Sequence, residues 1–316
     1  MLIYYYNLDI DEIIESKLVK NLKKYHNGEK KLKRKIGGKT MNAKPIVKWA
    51  GGKRQLIDKL LEYMPKEYNN YFEPFIGGGA LLFELMPKNA TINDVNQELL
   101  AIYRCLANDE WFKLMIEDLE EHEKNHSEDH YYEVREVDRE PEFENLSIWK
   151  RASRAIYLNK SCFNGLYRVN SKGYFNVPSG KKKKVQTYDK ENIIKLHDYF
   201  MSGNVTILEG DFAKAVENAK AGDFVYFDPP YDPFDEKESF TSYTKFNFLK
   251  EDQKRLANLF KELSDKGVYV MLSNHNTKYI NELYKSFNIH IVDAKRMINA
   301  DSKGRGSVEE VIITNY

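Results

Sequence analysis

The sequence predicts an α/β protein built on a mostly parallel sheet. Short runs rich in β-branched and aromatic residues recur at 71–75, 90–94, 205–208, 224–227 and 267–272. Helical patterns such as 96–106 and 250–266 lie between several of them. That alternation is the signature of strand–helix–strand units. Two later runs, 289–292 and 310–314, flank a polar stretch at 299–306 and predict an antiparallel edge pair. With 316 residues, 42% of them apolar, the chain can bury one large core or two ordinary ones.

Taken in order, residues 1–40 read as a basic N-terminal extension, because an amphipathic helical pattern gives way to the glycine-broken KYHNGEKKLKRKIGGK. Met41 stands directly before NAKPIVKWAGGK, so translation is expected to be able to start there with residues 1–40 dispensable. Residues 41–106 and 204–316 carry the strand-and-helix pattern of a catalytic domain. Between them, 107–203 interrupts the alternation with helical, then acidic, then basic sequence and is expected to be an inserted domain.

Composition narrows the function classes. No apolar run approaches the length of a membrane span, and the N-terminus lacks the features of a signal peptide, which predicts a cytoplasmic protein without a membrane partner. Cys105 and Cys162 are too few for a disulfide framework or a thiolate site, and the seven histidines show no ligand spacing, so no metal is expected. The net charge of +1 conceals a strong asymmetry. From Glu117 to Glu144 there are 13 acids against three bases, and from Asn145 to Tyr188 ten bases and no acid. The basic segment is interleaved with Trp149, Tyr157, Phe163, Tyr167, Tyr174 and Phe175, a pattern suited to tracking phosphates and touching bases.

Three strand ends carry candidate ligand contacts. FEPFIGGGA at 72–80 closes a strand with three glycines, which let the backbone turn and approach a ligand, and it makes Phe75, Gly77 and Gly79 candidates. It is no dinucleotide fingerprint, since Leu82 stands where a third glycine is needed, and no GK[ST] follows to make a phosphate loop. Asp94 ends the next strand, where a carboxylate can accept from ribose hydroxyls. In LEGDF at 208–212, Asp211 can accept an exocyclic amine and Phe212 can stack on an adenine. Upstream, Trp49 and Lys53 of KWAGGK flank a further glycine pair.

The stretch FVYFDPPY, 224–231, runs from an apolar strand into an acid and two prolines. Proline cannot continue a central strand, so the chain must turn there, leaving carbonyls free to accept from a ligand. Asp228 and the Pro229 carbonyl can accept both hydrogens of an amino group, which favours the pyramidal nitrogen that attacks an electrophilic methyl. Tyr231 offers a face for a flat base. These three are the candidate catalytic residues.

In this order KWAGGK, FEPFIGGGAL, NDVN, GDF and DPPY resemble the α-class N6-adenine-specific DNA methyltransferases, from about residue 44 to the C-terminus. FNGLYR at 163–168 and FNVP at 175–178 are similar to the target-recognition segment of the Dam and DpnII-type members, which modify GATC. The resemblance implies a Rossmann-like sheet that is S-adenosylmethionine-dependent, with a mainly helical DNA-recognition insertion. It implies S-adenosylmethionine as donor, held by Trp49, Lys53, Asp94 and Asp228 with Asp211 and Phe212, and double-stranded DNA as partner. Lys48, Asn164, Leu166, Arg168 and Pro178 match DNA-contacting positions. Arg168 is the expected reader of guanine, and Lys181 and Lys182, with Lys183 and Lys184, are the expected phosphate contacts. Phe163 stands where some relatives carry tyrosine.

Alternatives are an RNA adenine or protein amide methyltransferase, and a DNA-binding module with a vestigial cofactor fold. The intact Asp228, Tyr231 and cofactor positions argue against decay. Whether a restriction endonuclease or any other protein partner accompanies the chain is left open by its sequence.

Overall fold

The computed structural model describes residues 43–49, 51–234, 248–295 and 307–316. The extension at 1–40, the start at Met41 and the polar stretch 299–306 lie outside the described residues.

Seven strands form one sheet: β1 (Tyr71–Glu73), β2 (Asn89–Asp94), β3 (Asn204–Glu209), β4 (Phe224–Phe227), β5 (Tyr269–His275), β6 (Asn288–Lys295) and β7 (Ser307–Thr314). Their order is β3-β2-β1-β4-β5-β7-β6. The first five run parallel, with Tyr71 opposite Ala90 on one side and Phe224 on the other. β1 and β4 are buried along their whole length, which explains why both are unbroken apolar and aromatic runs apart from Glu73. β7 pairs antiparallel with both β5 and β6. The expected edge pair is therefore antiparallel, but only β6 forms the edge.

This strand order is that of a doubly wound sheet. The chain passes outward from β1 through β2 to β3, then returns to place β4 on the other side of β1. Ligands in such sheets bind where the winding reverses, at the carboxyl ends of the strands. Here that crevice opens after Glu73 and Phe227, immediately before the glycine loop and DPPY.

Helices cover the faces: α1 (Ile57–Tyr63), α2 (Ala80–Leu85), α3 (Gln97–Leu106), α4 (Asp109–Lys124), α5 (Glu128–Glu136), α6 (Ile148–Ser161), α7 (Lys190–Ser202), α8 (Phe212–Ala215), α9 (Lys250–Asp265) and α10 (Lys278–Leu283). α9 buries Gln253, Leu256, Ala257, Phe260 and Leu263, a helical stripe that packs against β5. Asn96 and Asn108 cap α3 and α4 by accepting from Leu99 and Trp111 amides. Among the described residues no helix is long and apolar enough to cross a membrane.

Residues 107–203 contain α4 to α7 and the irregular stretch between α6 and α7. α6 lies against α3 and α4 and buries Ile156, Tyr157 and Leu158. It also turns two of the ten cations of the acid-free segment inward. Arg151 pairs with Glu98 at 2.6 Å, and the buried Arg154 pairs with Asp138 at 3.0 Å. The interleaved aromatics divide as well: Tyr157 and Phe175 are core, while Phe163 is 52% exposed. The expected basic face is thus narrower than the sequence count, because a helix presents only one side to solvent and needs counter-ions on the other.

Candidate active site

The turn after β4 is held by groups from neighbouring elements. Gln253 of α9 donates to the Pro230 carbonyl at 2.9 Å, and the Asp232 amide donates to Asn274 Oδ1 at 2.9 Å. Asn274 Nδ2 in turn reaches Gln253 Oε1, His275 Nδ1 faces the Asp232 carbonyl at 2.8 Å, and Thr277 donates to the Asp232 carboxylate. Gln253 and Asn274 are fully buried, so this polar scaffold is held in a dry environment where its bonds are strong. Among the described residues no donor takes the Pro229 carbonyl. The turn therefore offers the Asp228 carboxylate and the Pro229 carbonyl, the two acceptors expected from the sequence.

Lys53 crosses this turn. Its Nζ lies 2.8 Å from Asp228 Oδ1 and 4.4 Å from the centre of the Tyr231 ring, and it also donates to the Gly51 carbonyl. Asp228 Oδ1 is buried, and this charge contact lacks the angles of a hydrogen bond. Burial pushes the Asp228 carboxyl up to about 6 against the opposing pull of Lys53, and the negative charge of Glu310 adds to the rise. Tyr231 donates its hydroxyl to Glu310 at 2.8 Å, and its ring meets His275 edge to face at 4.8 Å.

The glycine loop closes onto Asp94. Gly77 N donates to Asp94 Oδ2 at 3.0 Å and Asn96 N to Oδ1 at 2.9 Å, which fixes the carboxylate at the crevice mouth. Desolvation raises the Asp94 pKa although these bonds pull the other way. Gly77 has a φ of 46°, and a Cβ there would come to 3.0 Å from the Trp49 ring, so the loop needs glycine to lie against that indole. Glu73 is buried beneath the loop, where Tyr71 donates to it at 2.8 Å and desolvation pushes its carboxyl well above the usual range.

At the third strand end the Asp211 carboxylate caps α8 through Ala213 N and pairs with Arg255 at 2.7 Å. The Phe212 ring packs 5.3 Å from Phe75, with the Arg255 guanidinium 4.3 Å from its centre. Both expected adenine contacts are therefore engaged with Arg255, whose side chain is half exposed.

The candidate DNA residues gather on one irregular stretch. Phe163 N donates to the Pro178 carbonyl, Cys162 bridges to Ser179, and Val169 bridges to Phe175. These contacts fold 162–180 back on itself. Asn164 (φ 56°), Arg168, Pro178 and Lys181 to Lys184 are exposed, and Leu166 is half-buried. Arg168 Nε is steered by Asn176 Oδ1 at 2.7 Å. Lys48 joins the group from the chain before the first helix: its amide and carbonyl both bond Asn159, and its side chain lies against Gly165. Trp49 meets Tyr167 with ring centres 4.8 Å apart. The structure thus brings the cofactor candidates and the DNA candidates to one mouth.

Gln253, Asn274, His275 and Glu310 were not singled out from the sequence. A glutamine on the buried stripe of α9 was the one available signal. Glu310 gave none.

Fold and site together define an α/β enzyme with the Asp228 carboxylate and the Pro229 carbonyl at the crevice where the sheet reverses. Residues 49–298 match the family model of the D12 class N6 adenine-specific DNA methyltransferases. The chain is 48% identical over 276 residues to the Type II methyltransferase M1.LlaDCHI of Lactococcus lactis subsp. cremoris, covering 87% of this chain and 96% of that protein. It is 42% identical to the Type II methyltransferase M.MjaIII of Methanocaldococcus jannaschii, covering 87% and 100%. It is 32% identical to the DNA adenine methylase of Escherichia coli strain K12, covering 84% and 93%. Solved structures align loosely, a precorrin 8W decarboxylase at a TM-score of 0.36 and 12% identity over 87% of this chain and 100% of that one, and the fold is defined by strand order instead. The chain belongs to the D12 class of N6 adenine-specific DNA methyltransferases and is an adenine-specific DNA methyltransferase.

Proposed function

We propose that the enzyme transfers the methyl group of S-adenosylmethionine to N6 of an adenine flipped out of duplex DNA, with GATC as the target. The observation that carries the reading is the pair of acceptors, Asp228 and the Pro229 carbonyl, held rigid beside the Tyr231 ring at the point where the sheet reverses. An aromatic amine is a weak nucleophile because its lone pair is delocalised. Accepting both of its hydrogens in a dry site favours the form that attacks.

The residues present fit the donor. Asp94, anchored by Gly77 and Asn96 amides, keeps lone pairs for ribose hydroxyls, and the glycine loop leaves no Cβ between itself and Trp49. When bound, S-adenosylmethionine supplies an electrophilic methyl on a sulfonium. Phe75, Gly77, Gly79, Asp211 and Phe212 line its side of the crevice in this reading, with Arg255 swinging away from Phe212 to admit the adenine ring. Lys53 serves both sides. Its ammonium now meets Asp228 and Tyr231, as a target amine would, and must move when the base enters.

Residues 107–203 act as the target-recognition insertion into a catalytic framework of 41–106 and 204–316. Unstacking the adenine costs a few kcal/mol, which contacts along Lys48, Asn164, Leu166, Arg168, Pro178 and Lys181 to Lys184 offset. Two of the relatives carry Type II names, so a restriction-modification setting in the cytoplasm is part of the proposal. The test is transfer of labelled methyl from S-adenosylmethionine to two duplexes that differ only in the GATC adenine, with Asp228→Ala as control. Label confined to the GATC duplex and lost in the variant is expected. Label on both duplexes would remove the sequence specificity, and preference for RNA would replace the substrate.

A further inference from the structure

We propose that Glu310 is a positioning residue for methyl transfer: its carboxylate, delivered by β7, holds the hydroxyl of Tyr231 and so sets the plane of the ring on which the target adenine stacks. The inference rests on the reading of Tyr231 as the base-stacking residue.

Tyr231 sits on an irregular turn, where the backbone is fixed by Gln253 and Asn274 but the side chain still has two torsions to settle. The hydroxyl bond to Glu310 at 2.8 Å tethers the far end of the ring, and His275 meets the ring at 4.8 Å. Both contacts come from one place. Glu310 and His275 are directly paired in the β5–β7 ladder, and Glu310 is paired on its other side with Val292 of β6. A carboxylate on a strand hydrogen-bonded to both neighbours is a stiff anchor, and such supporting groups decide whether a site is held closely enough to react. Tyr231 and Glu310 are 79 positions apart, and Glu310 lies in none of the motifs that mark the catalytic residues.

The same carboxylate acts on Asp228 through space. The groups facing Asp228 are Lys53 from before α1, Glu310 from β7, Glu73 from β1, Tyr226 of β4 and Tyr231 of its own turn. Lys53 favours the Asp228 carboxylate, whereas Glu310 disfavours it. Removing the charge of Glu310 therefore shifts ionisation of Asp228 to lower pH, which a purely structural role would not do.

The experiment compares kcat, KM for S-adenosylmethionine and the pH profile for the full chain and five variants: E310A, E310Q, Y231F, Y231A and the double Y231F/E310A. E310A is expected to lose about tenfold in kcat with KM for the donor unchanged, the usual scale for one hydrogen bond to a charged group. E310Q keeps an acceptor, recovers most of that loss, and has its acid limb at lower pH. Y231F should match E310A, and the double variant should be no worse than either, since one bond cannot be lost twice. Wild-type kcat in E310A or Y231F, or losses that multiply in the double variant, would overturn the role of Glu310. Wild-type kcat in Y231A would overturn the stacking reading and this inference with it. If E310A fails to fold, E310Q and Y231F still decide the question.

Discussion

The turn proposed for catalysis and the stretch proposed for recognition meet at one crevice mouth but are held in different ways. Asp228 and Tyr231 follow a fully buried strand, and their backbone is pinned by buried side chains from α9 and β5. Arg168 and Asn164 stand exposed on a doubled-back chain secured by backbone bridges at Cys162–Ser179 and Val169–Phe175. Chemistry needs atoms fixed to a fraction of an ångström, so its acceptors sit on rigid elements. Reading a sequence needs side chains that reach out, and in the proposed role the loop would supply reach while α6 beneath it supplies support. Damage on the first side should abolish turnover; damage on the second should change where turnover happens.

The largest expected effect is on the first side. On the proposed mechanism Asp228→Ala removes one of two acceptors for the amine, and its loss should cost about 3 kcal/mol or more, roughly a hundredfold to a thousandfold in kcat. Single-turnover methyl transfer measures it, and donor affinity measured by calorimetry should fall far less. On the second side, Arg168→Ala should lower discrimination against a changed guanine by about 1–3 kcal/mol while leaving kcat on the intact site within a small factor. The check is kcat/KM on the intact duplex and on duplexes carrying one substituted base pair. A variant that loses rate equally on all of them would show Arg168 to be a phosphate contact instead.

The two regions also differ in how far they could be read in advance. KWAGGK, the glycine loop, NDVN, GDF and DPPY are local, each a few residues at one strand end, and the sheet gathers them without further information. The scaffold beneath DPPY is not local: Gln253 lies 23 positions from Pro230 and Asn274 lies 42 from Asp232, and nothing in either neighbourhood advertises the contact. β5 runs on to His275, past the apolar run that ends at 272, because Ser273 and Asn274 are polar yet buried, with Ser273 paired to the Tyr226 hydroxyl at 2.8 Å. On the recognition side the charge count showed a basic segment but could not show which cations α6 turns inward. Arg151 and Arg154 belong to the interior, and that is a property of helical phase and of acids elsewhere in the chain.

The acid limb of the pH profile gives a smaller but sharper test of the catalytic side. Burial raises Asp228 to about 6, so above that pH the carboxylate is present and can accept, and below it the protonated acid cannot accept both ways. The kcat/KM for the duplex, which reports the enzyme before the base displaces Lys53, should therefore fall as pH drops through about 6. Lys53 opposes the rise, so Lys53→Met should move that limb to higher pH. A limb unmoved in Lys53→Met would mean the ion pair does not govern the ionisation that limits turnover.

The smallest expected effect separates reach from reading on the recognition side. Lys181 to Lys184 are exposed and lie just past the doubled-back stretch, so in duplex binding they should meet phosphates rather than bases. Each such contact releases condensed counterions and adds about 0.9 to the slope of log affinity against log salt. The four are not equivalent. The Lys182 side chain donates to the Lys160 carbonyl, and its own carbonyl faces His126 at 3.0 Å, so it serves partly to hold the stretch to α6 and to the turn after α4. Neutralising Lys181, Lys183 and Lys184 should flatten the slope and weaken binding to every duplex alike, whereas Lys182→Gln should change the slope less and discrimination more. Binding isotherms at several salt concentrations, on matched and mismatched duplexes, resolve the two. An unchanged slope after neutralising all four would take the phosphate role away from this segment and leave recognition to Arg168 and its neighbours.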